Sequence, residues 1–373
     1  MAKRLFKNFL FVLLFALSAC SLPTVNKKLY HSVAWLNYDN TLLYRDSKVE
    51  DGAIPVYKGE TPTKPCEEKG FEYKFIGWTP DIVPAYVDAS YTATFEKTVA
   101  KCDYNDVEGT EPVVDLTNKT VEYGLYPKTY INDSDLLGTL NSIAEPEPIG
   151  WYLFNGTFYA KLTSSQKNDA KFDDSTKIVE GEEYWFKCEP ISWKILEENN
   201  GEYLLLSSLL LDTHIFDYNS NNYKDSDVRA WLNNEFFTRA FCLNDNYIKT
   251  TNVDNSASTT DANDNDAVCE NTQDKVFMLS YKDYLNENYG FTTIKSTSST
   301  RWCQTTEWAR ASGAYVASRT GMYNVGYYWT RSPVSKTTTN AYSVGEDGAL
   351  YPDPIGTGLA LSACVRPCIT FVM

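Results

Sequence analysis

The chain has 373 residues, of which 34 are lysine or arginine and 49 are aspartate or glutamate, and its net charge is −15. A chain this acidic is not expected to bind nucleic acid, whose affinity for proteins comes mainly from basic residues that contact phosphates. Electrostatic attraction to anionic lipid is excluded for the same reason. The length predicts more than one domain, and an aromatic content of 14% is enough to fill large cores.

Residues 1–19 have the composition of a secretory signal. Three basic residues among the first seven precede an apolar run over 9–17, and the small residues Ser18 and Ala19 follow. These are the parts of a signal peptide with its cleavage site. The run is too short to span a bilayer, which needs about 20 apolar residues.

Residues 17–20 read Leu-Ser-Ala-Cys, which resembles the lipobox of bacterial lipoproteins. The resemblance implies that Cys20 carries a thioether-linked diacylglycerol and becomes the N-terminal residue after cleavage. Because the removed segment holds three basic and no acidic residues, the mature chain has a net charge of −18. Two acyl chains hold a protein stably, so we expect Cys20 alone to attach the protein to the membrane, with residues 20–30 as a tether.

Residues 31–97 are predicted to form a small β-strand module, because five prolines between 55 and 84 disfavour long helices. The opening strand around Trp35, Gly52–Tyr57, Phe75–Trp78 and Asp88–Phe95 resemble the Listeria–Bacteroides repeat, a β-grasp-like module of bacterial surface proteins. This resemblance implies a spacer or an adhesion module and no catalysis.

The acidic, proline- and glycine-containing residues 98–118 are predicted to be a linker. Residues 119–373 are predicted to form one larger mixed domain. Within it, Asn155-Gly156 and Asn200-Gly201 predict tight hairpin turns between strands.

Two helices are predicted in this domain. Apolar residues at helical spacing follow Ser226, a good N-cap, and predict a helix that continues to Phe241. A shorter helix over 305–312 is expected to end at Gly313. With these helices among many strands, we predict an α+β fold for the chain.

Several motifs within residues 120–373 resemble the domain-of-unknown-function family numbered 6273. The motifs include Glu189–Leu196, Asp274–Ser280, Trp329–Pro333 and Val365–Pro367, and the family implies no activity. The order of the last two is also distantly similar to C-type-lectin-like and formylglycine-generating domains, which is a hint about fold only. The strand Tyr327–Ser332 lacks the copper-binding cysteines of the formylglycine-generating enzymes.

Four residues of the last strands are candidate ligand-binding residues: Arg331, Arg366, Trp329 and Tyr328. Arginines beside aromatic rings can bind carboxylates or stack on sugars. Arginines that pair with buried carboxylates for structural reasons would give the same sequence pattern, so both alternatives stay open.

A partial calcium-binding pattern occurs at Asp261, Asn263 and Asn265, where oxygen ligands alternate. It lacks the glycine and the distal glutamate of a calcium loop, and a solvated disordered loop is the alternative. The chain's two histidines, His31 and His214, do not favour a zinc site or a Ser-His relay. No cofactor is expected.

Eight cysteines remain besides Cys20, and an even number in an exported protein permits disulfides. The predicted pair is Cys242 with Cys269, which would close a polar loop between two ordered segments. The alternative is that all eight are free thiols.

We therefore predict a lipid-anchored surface protein of the bacterial cell envelope that binds a glycan, the cell wall or a protein without catalysis. The alternatives are an envelope enzyme with a pocket near Arg331 and Arg366, and a purely structural envelope protein. A deep cleft with convergent polar groups would favour the enzyme, whereas a shallow aromatic face would favour binding.

Overall fold

The computed structural model describes residues 28–66, 71–99, 107, 111–264, 269–319, 322–355 and 363–373. The predicted signal segment, Cys20 and Asn265 lie outside these residues. The chain divides into two compact units: of the described residues, the first holds 28–65 and 73–97, and the second holds 66, 71, 72 and those from 98 onward.

The first unit contains one four-stranded sheet. Its strands are β1 (Tyr30–Leu36), β2 (Leu42–Glu50), β3 (Phe71–Thr79) and β4 (Ala89–Val99). The strand order is β2-β1-β4-β3, and β1 runs antiparallel to β2 but parallel to β4. The described part of this unit contains no helix.

Trp35 is the centre of the first unit's core. Its side chain is fully buried, and its ring lies 4.6–5.5 Å from the rings of Tyr57, Trp78 and Tyr91. Val33 is buried two residues earlier in β1, as expected for a strand that buries alternate residues on one face. Large aromatic rings thus give this small sheet a core.

The second unit is built mainly from strands, most of them short. They are β5 (Val113–Asp115), β6 (Thr120–Tyr130), β7 (Tyr152–Phe154), β8 (Thr157–Thr163), β9 (Glu183–Asn199), β10 (Glu202–Ser207), β11 (Asp212–Thr213), β12 (Ile248–Lys249), β13 (Thr251–Val253), β14 (Thr272–Asp274), β15 (Val276–Phe277), β16 (Val316–Arg319), β17 (Met322–Gly326), β18 (Tyr328–Pro333), β19 (Asn340–Val344), β20 (Leu350–Pro354), β21 (Cys364–Val365) and β22 (Cys368–Val372).

Two sheets organise these strands. The larger has the order β12-β22-β10-β9-β6-β5, with β15 paired to β22 and the β7–β8 hairpin paired to β9. The second sheet has the order β11-β21-β18-β19-β20, and β13–β14 and β16–β17 are separate pairs. Both predicted Asn-Gly turns are confirmed, because Asn155, Gly156, Asn200 and Gly201 all have positive φ angles between paired strands.

The helices are short and lie in the second unit. They are α1 (Ser134–Leu140), α2 (Asp227–Trp231), α3 (Phe237–Ala240) and α4 (Glu307–Ala311), with single 3-10 turns at Tyr223–Asp225, Ala257–Thr259, Ala262–Asp264, Asp283–Leu285, Glu287–Tyr289 and Ser299–Arg301.

Both predicted helices are confirmed. Ser226 caps α2 by accepting a hydrogen bond from the Arg229 amide. A π-helical turn, Leu232–Phe236, separates α2 from α3. Thr306 caps α4 in the same way, and Gly313 follows that helix with a φ of +105°.

The prediction of an α+β fold, with a β-grasp-like module and a mixed α+β domain, is wrong. Strands take up 41% and helices 14% of the residues, so the fold is mostly β. The two predicted helices are real, but they are short beside the sheets: α2, the π turn and α3 together make about four turns, and α4 makes about one. Among the described residues, no helix is long and apolar enough to cross a membrane.

Candidate functional site

A cleft of about 1120 Å³ opens on the second unit. Four segments line it: the loop after β8, β11 with the residues that follow it, α2 with the π turn, and the residues after α4. Its lining residues are Ser165, Lys167, Thr213, His214, Ile215, Tyr218, Asp227, Ala230, Trp231, Asn234, Glu235, Ser312 and Gly313.

An aromatic platform forms one wall of the cleft. The ring of His214 stacks on that of Trp231, with centroids 5.1 Å apart and planes inclined by 29°. Tyr218, whose side chain is 65% exposed, lines the same cleft. Three rings with apolar faces and polar edges therefore line the same cleft.

Hydrogen bonding fixes the orientation of His214. Its Nδ1 lies 2.7 Å from the Ile215 carbonyl oxygen, which can only accept, so Nδ1 carries the proton and donates it. In the neutral ring the other nitrogen, Nε2, is therefore an acceptor. The backbone carbonyl of His214 also accepts a hydrogen bond from Trp329 Nε1 at 3.0 Å.

The Ser312 carbonyl holds the rim of the cleft together. It accepts hydrogen bonds from Ser165 Oγ at 2.6 Å and from Thr213 Oγ1 at 2.9 Å. Gly313 allows this close approach, because a Cβ at that position would lie 3.0 Å from Ser165 Oγ. Its φ of +105° is also one that other residues rarely adopt. Three distant segments therefore meet at a defined spacing.

Asp212 anchors the strand that leads into the cleft. Its Oδ2 accepts hydrogen bonds from the Tyr126 hydroxyl at 2.6 Å and from Trp308 Nε1 at 2.9 Å. Burial raises the pKa of the Asp212 carboxyl, although these donors act in the opposite direction. The contacts tie β11, and hence Thr213 and His214, to β6 and α4.

Three charged residues line the cleft. Asp227 and Glu235 lie on the helical wall, and Lys167 lies on the opposite loop. Glu235 forms an ion pair of 2.7 Å with Arg239, and Lys167 lies 3.8 Å from Glu180. The described residues hold no cluster of three or more His, Cys, Asp or Glu side chains that could bind a metal ion. The cleft thus combines an aromatic wall with a polar rim, which suits a ligand with an apolar face and several hydroxyl groups.

The predicted ligand-binding residues lie elsewhere, in the interior. Tyr328 and Trp329 are fully buried, and Arg331 and Arg366 are nearly so. A ligand has no access to buried side chains in this arrangement, so they form neither a binding face nor an enzyme pocket. Trp329 alone reaches the cleft, and only through its hydrogen bond to the His214 backbone.

The two arginines find most of their hydrogen-bond partners inside the fold, although the buried Arg331 Nε has none among the described residues. Arg331 Nη1 donates to the Met278 carbonyl at 2.8 Å and to Asp283 at 2.9 Å. Arg366 donates from Nε to the Ser207 carbonyl at 3.0 Å. The structural alternative, pairing with a carboxylate of the fold, therefore fits Arg331 through Asp283. Arg366 has a structural role of a different kind, through the Ser207 carbonyl and the Tyr328 hydroxyl.

The candidate calcium ligands are also used internally. Asp261 accepts a hydrogen bond from the Tyr281 hydroxyl at 2.6 Å through one oxygen, and from the Asn263 amide at 2.9 Å through the other. Asn265 lies outside the described residues. The hydrogen bonds of a local turn thus explain Asp261 and Asn263 without a bound ion.

The predicted Cys242–Cys269 disulfide is wrong, because neither residue forms a disulfide. Cys269 lies with its Sγ 2.8 Å from Asn222 Oδ1, and burial raises the pKa of its thiol. Cys242 belongs to the hydrophobic core directly after Phe241. Sequence spacing alone does not show whether two cysteines come within bonding distance.

Comparison with known proteins gives one match. Residues 200–371 match the model of the domain of unknown function DUF6273, which confirms the predicted resemblance over that range. The matched range contains β10 to most of β22, Trp231 and His214; the rim loop at Ser165 precedes it. No curated protein and no solved structure matches the chain.

Proposed function

We propose that this chain is a lipid-anchored protein of the bacterial cell envelope whose second unit binds a glycan in the cleft. The observation that carries the proposal is the stacked pair of His214 and Trp231 with Tyr218 exposed on the same cleft. Flat aromatic faces bind the apolar face of a sugar ring, while hydroxyl and carbonyl groups at a rim bind its hydroxyls.

The rest of the proposal comes from the sequence. The Leu-Ser-Ala-Cys segment at 17–20 supports attachment through lipid at Cys20. The motifs around Trp35, Phe75–Trp78 and Asp88–Phe95 support a Listeria–Bacteroides-repeat-like spacer between that anchor and the second unit. In this arrangement the spacer separates the cleft from the attachment point along the chain.

Tyr218 gives the sharpest test. The purified chain is screened against a panel of glycans and peptidoglycan fragments, and the affinity of any hit is measured for Tyr218→Ala. We expect that affinity to fall at least about tenfold, which corresponds to about 1.4 kcal/mol. The matched control is Tyr323→Ala, because Tyr323 is 70% exposed in the same unit and does not line the cleft.

Two results would contradict the proposal. One is a folded protein that binds nothing on the panel, which would favour a purely structural role. The other is a bound glycan whose affinity is unchanged in Tyr218→Ala, which would place binding outside the cleft.

A further inference from the structure

One end of the first unit exposes a group of apolar side chains. Ile54, Val56, Val83, Tyr86 and Val87 are all exposed, with Val87 at 70%. They come from two loops, 52–56 and 83–87, and we call this set the apolar end surface. Contiguous exposed apolar residues on a small unit mark a contact surface.

Backbone hydrogen bonds bring the two loops together. The Gly52 amide donates to the Ala85 carbonyl at 2.8 Å, and the Ala85 amide donates to the Ala53 carbonyl at 2.9 Å. The Tyr86 ring lies over Gly52, where an added Cβ would be 3.4 Å from Tyr86 Cε1. The apolar end surface is therefore one continuous part of the unit.

The chain enters the first unit beside this surface. The Asp51 amide donates to the Leu29 carbonyl at 2.9 Å, directly before Gly52. The Ser32 amide donates to Asp88 at 2.7 Å, directly after Val87. Even when fully extended, the stretch from Cys20 to Leu29 reaches at most about 30 Å. A lipid on Cys20 would hold the apolar end surface close to the membrane.

We infer that the apolar end surface contacts the lipid headgroup region of the membrane that holds Cys20. This inference rests on the proposed lipid anchor. Valine and isoleucine side chains gain from leaving water there, and a tyrosine ring suits the boundary between apolar and wet regions. Asp51 and Asp88 beside the surface favour zwitterionic over anionic headgroups. The contact would orient the unit relative to the membrane.

The test places a fluorescent amino acid at one position at a time in the lipid-bearing full chain, reconstituted in phosphatidylcholine vesicles that contain a headgroup-region spin-labelled lipid. Val87 is the test position. Leu42 is the matched control, since it is an exposed apolar residue of the same unit. It pairs with Leu36 at the other end of β1, about 20 Å from the chain entry. We expect quenching at 87 to be several-fold stronger than at 42.

The outcomes separate this inference from the anchor. Equal, low quenching at both positions in protein that floats with the vesicles overturns the contact and leaves the anchor standing. A different outcome is a change of the emission at 87 as the protein concentration rises, with no quenching by the labelled lipid. That result overturns the membrane contact and shows that a second copy of this chain covers the surface. Failure of the protein to float refutes the anchor and the contact together.

Discussion

Arg366 and Tyr328 bind to each other, with 3.2 Å between the arginine Nη1 and the tyrosine hydroxyl oxygen. The same hydroxyl donates to the Arg301 carbonyl at 2.7 Å. Two residues expected to meet a ligand thus complete each other's hydrogen bonding inside the core. Their contact links β18, the end of β21 and the turn that carries Arg301.

The stability that Tyr328 contributes should depend on pH. Burial raises the pKa of Tyr328 to about 12, whereas an unfolded tyrosine ionises near about 10. The contribution is therefore fully present below about pH 10 and is lost as the pH rises through about 12. Tyr328→Phe should cost about 1–2 kcal/mol at pH 8, and this difference should shrink by pH 11. Urea unfolding at both pH values measures it; a constant difference would contradict the buried hydroxyl.

Arg301 should be among the most sensitive positions in the second unit. Its side chain is fully buried and donates to five backbone carbonyls, those of Gly348, Tyr284, Thr292, Ile294 and Ser296. Arg301→Met leaves all five without this donor, so the free energy of unfolding should fall by at least about 3 kcal/mol. The exposed Arg45→Met should change it by less than about 0.5 kcal/mol. Similar losses in both variants would argue against this role.

Gly313→Ala should damage the cleft rim. The new Cβ would lie 3.0 Å from Ser165 Oγ, and the alanine backbone would have to adopt a φ of +105°. We therefore expect the free energy of unfolding to fall by at least about 1 kcal/mol. Any glycan bound in the cleft should also bind less tightly. Gly138→Ala is the control, because it has open space in α1 and should stabilise by about 0.5–1 kcal/mol. Thermal unfolding of both variants measures the two changes in stability. Equal changes would refute the role of Gly313 in the rim.

Cys20→Ser should abolish membrane attachment. Without the thiol no thioether to lipid can form, and the acidic chain has no electrostatic attraction to anionic lipid to replace it. The protein should then be released or remain unprocessed, as fractionation and intact mass would show. An unchanged, fully processed membrane fraction would exclude the anchor.

Local chemistry made parts of the fold predictable. Asn155-Gly156 predicted its hairpin because both residues must adopt positive φ in a type I′ turn. Ser226 and Gly313 predicted a helix start and a helix stop because capping involves only neighbouring residues. The fold class was predicted wrongly because a helical pattern shows that a helix exists. It does not show how small a share of the residues the helices take up beside the strands.

The cleft could not be predicted, because its walls are distant in sequence. Ser165 and Thr213 both donate to the Ser312 carbonyl oxygen, and no local pattern encodes that meeting. Trp231 was visible as an apolar position of a predicted helix, yet nothing local showed that its ring stacks on His214. The sequence could not decide between a ligand-binding and a structural role for the buried arginines. Many of their partners are backbone carbonyls, which every residue carries and which leave no sequence pattern.

The position of β22 has a consequence for how the second unit folds. This late strand lies between β10 and β12 and also pairs with β15, and Glu202 faces Val372 across the larger sheet. The sheet cannot close until nearly all of the unit's residues have been synthesised, and such long-range pairing is slow. The larger sheet of the newly made chain therefore lacks the strand that joins β10 to β12 and β15 until late in translation, which suits a protein predicted to cross a membrane before it folds.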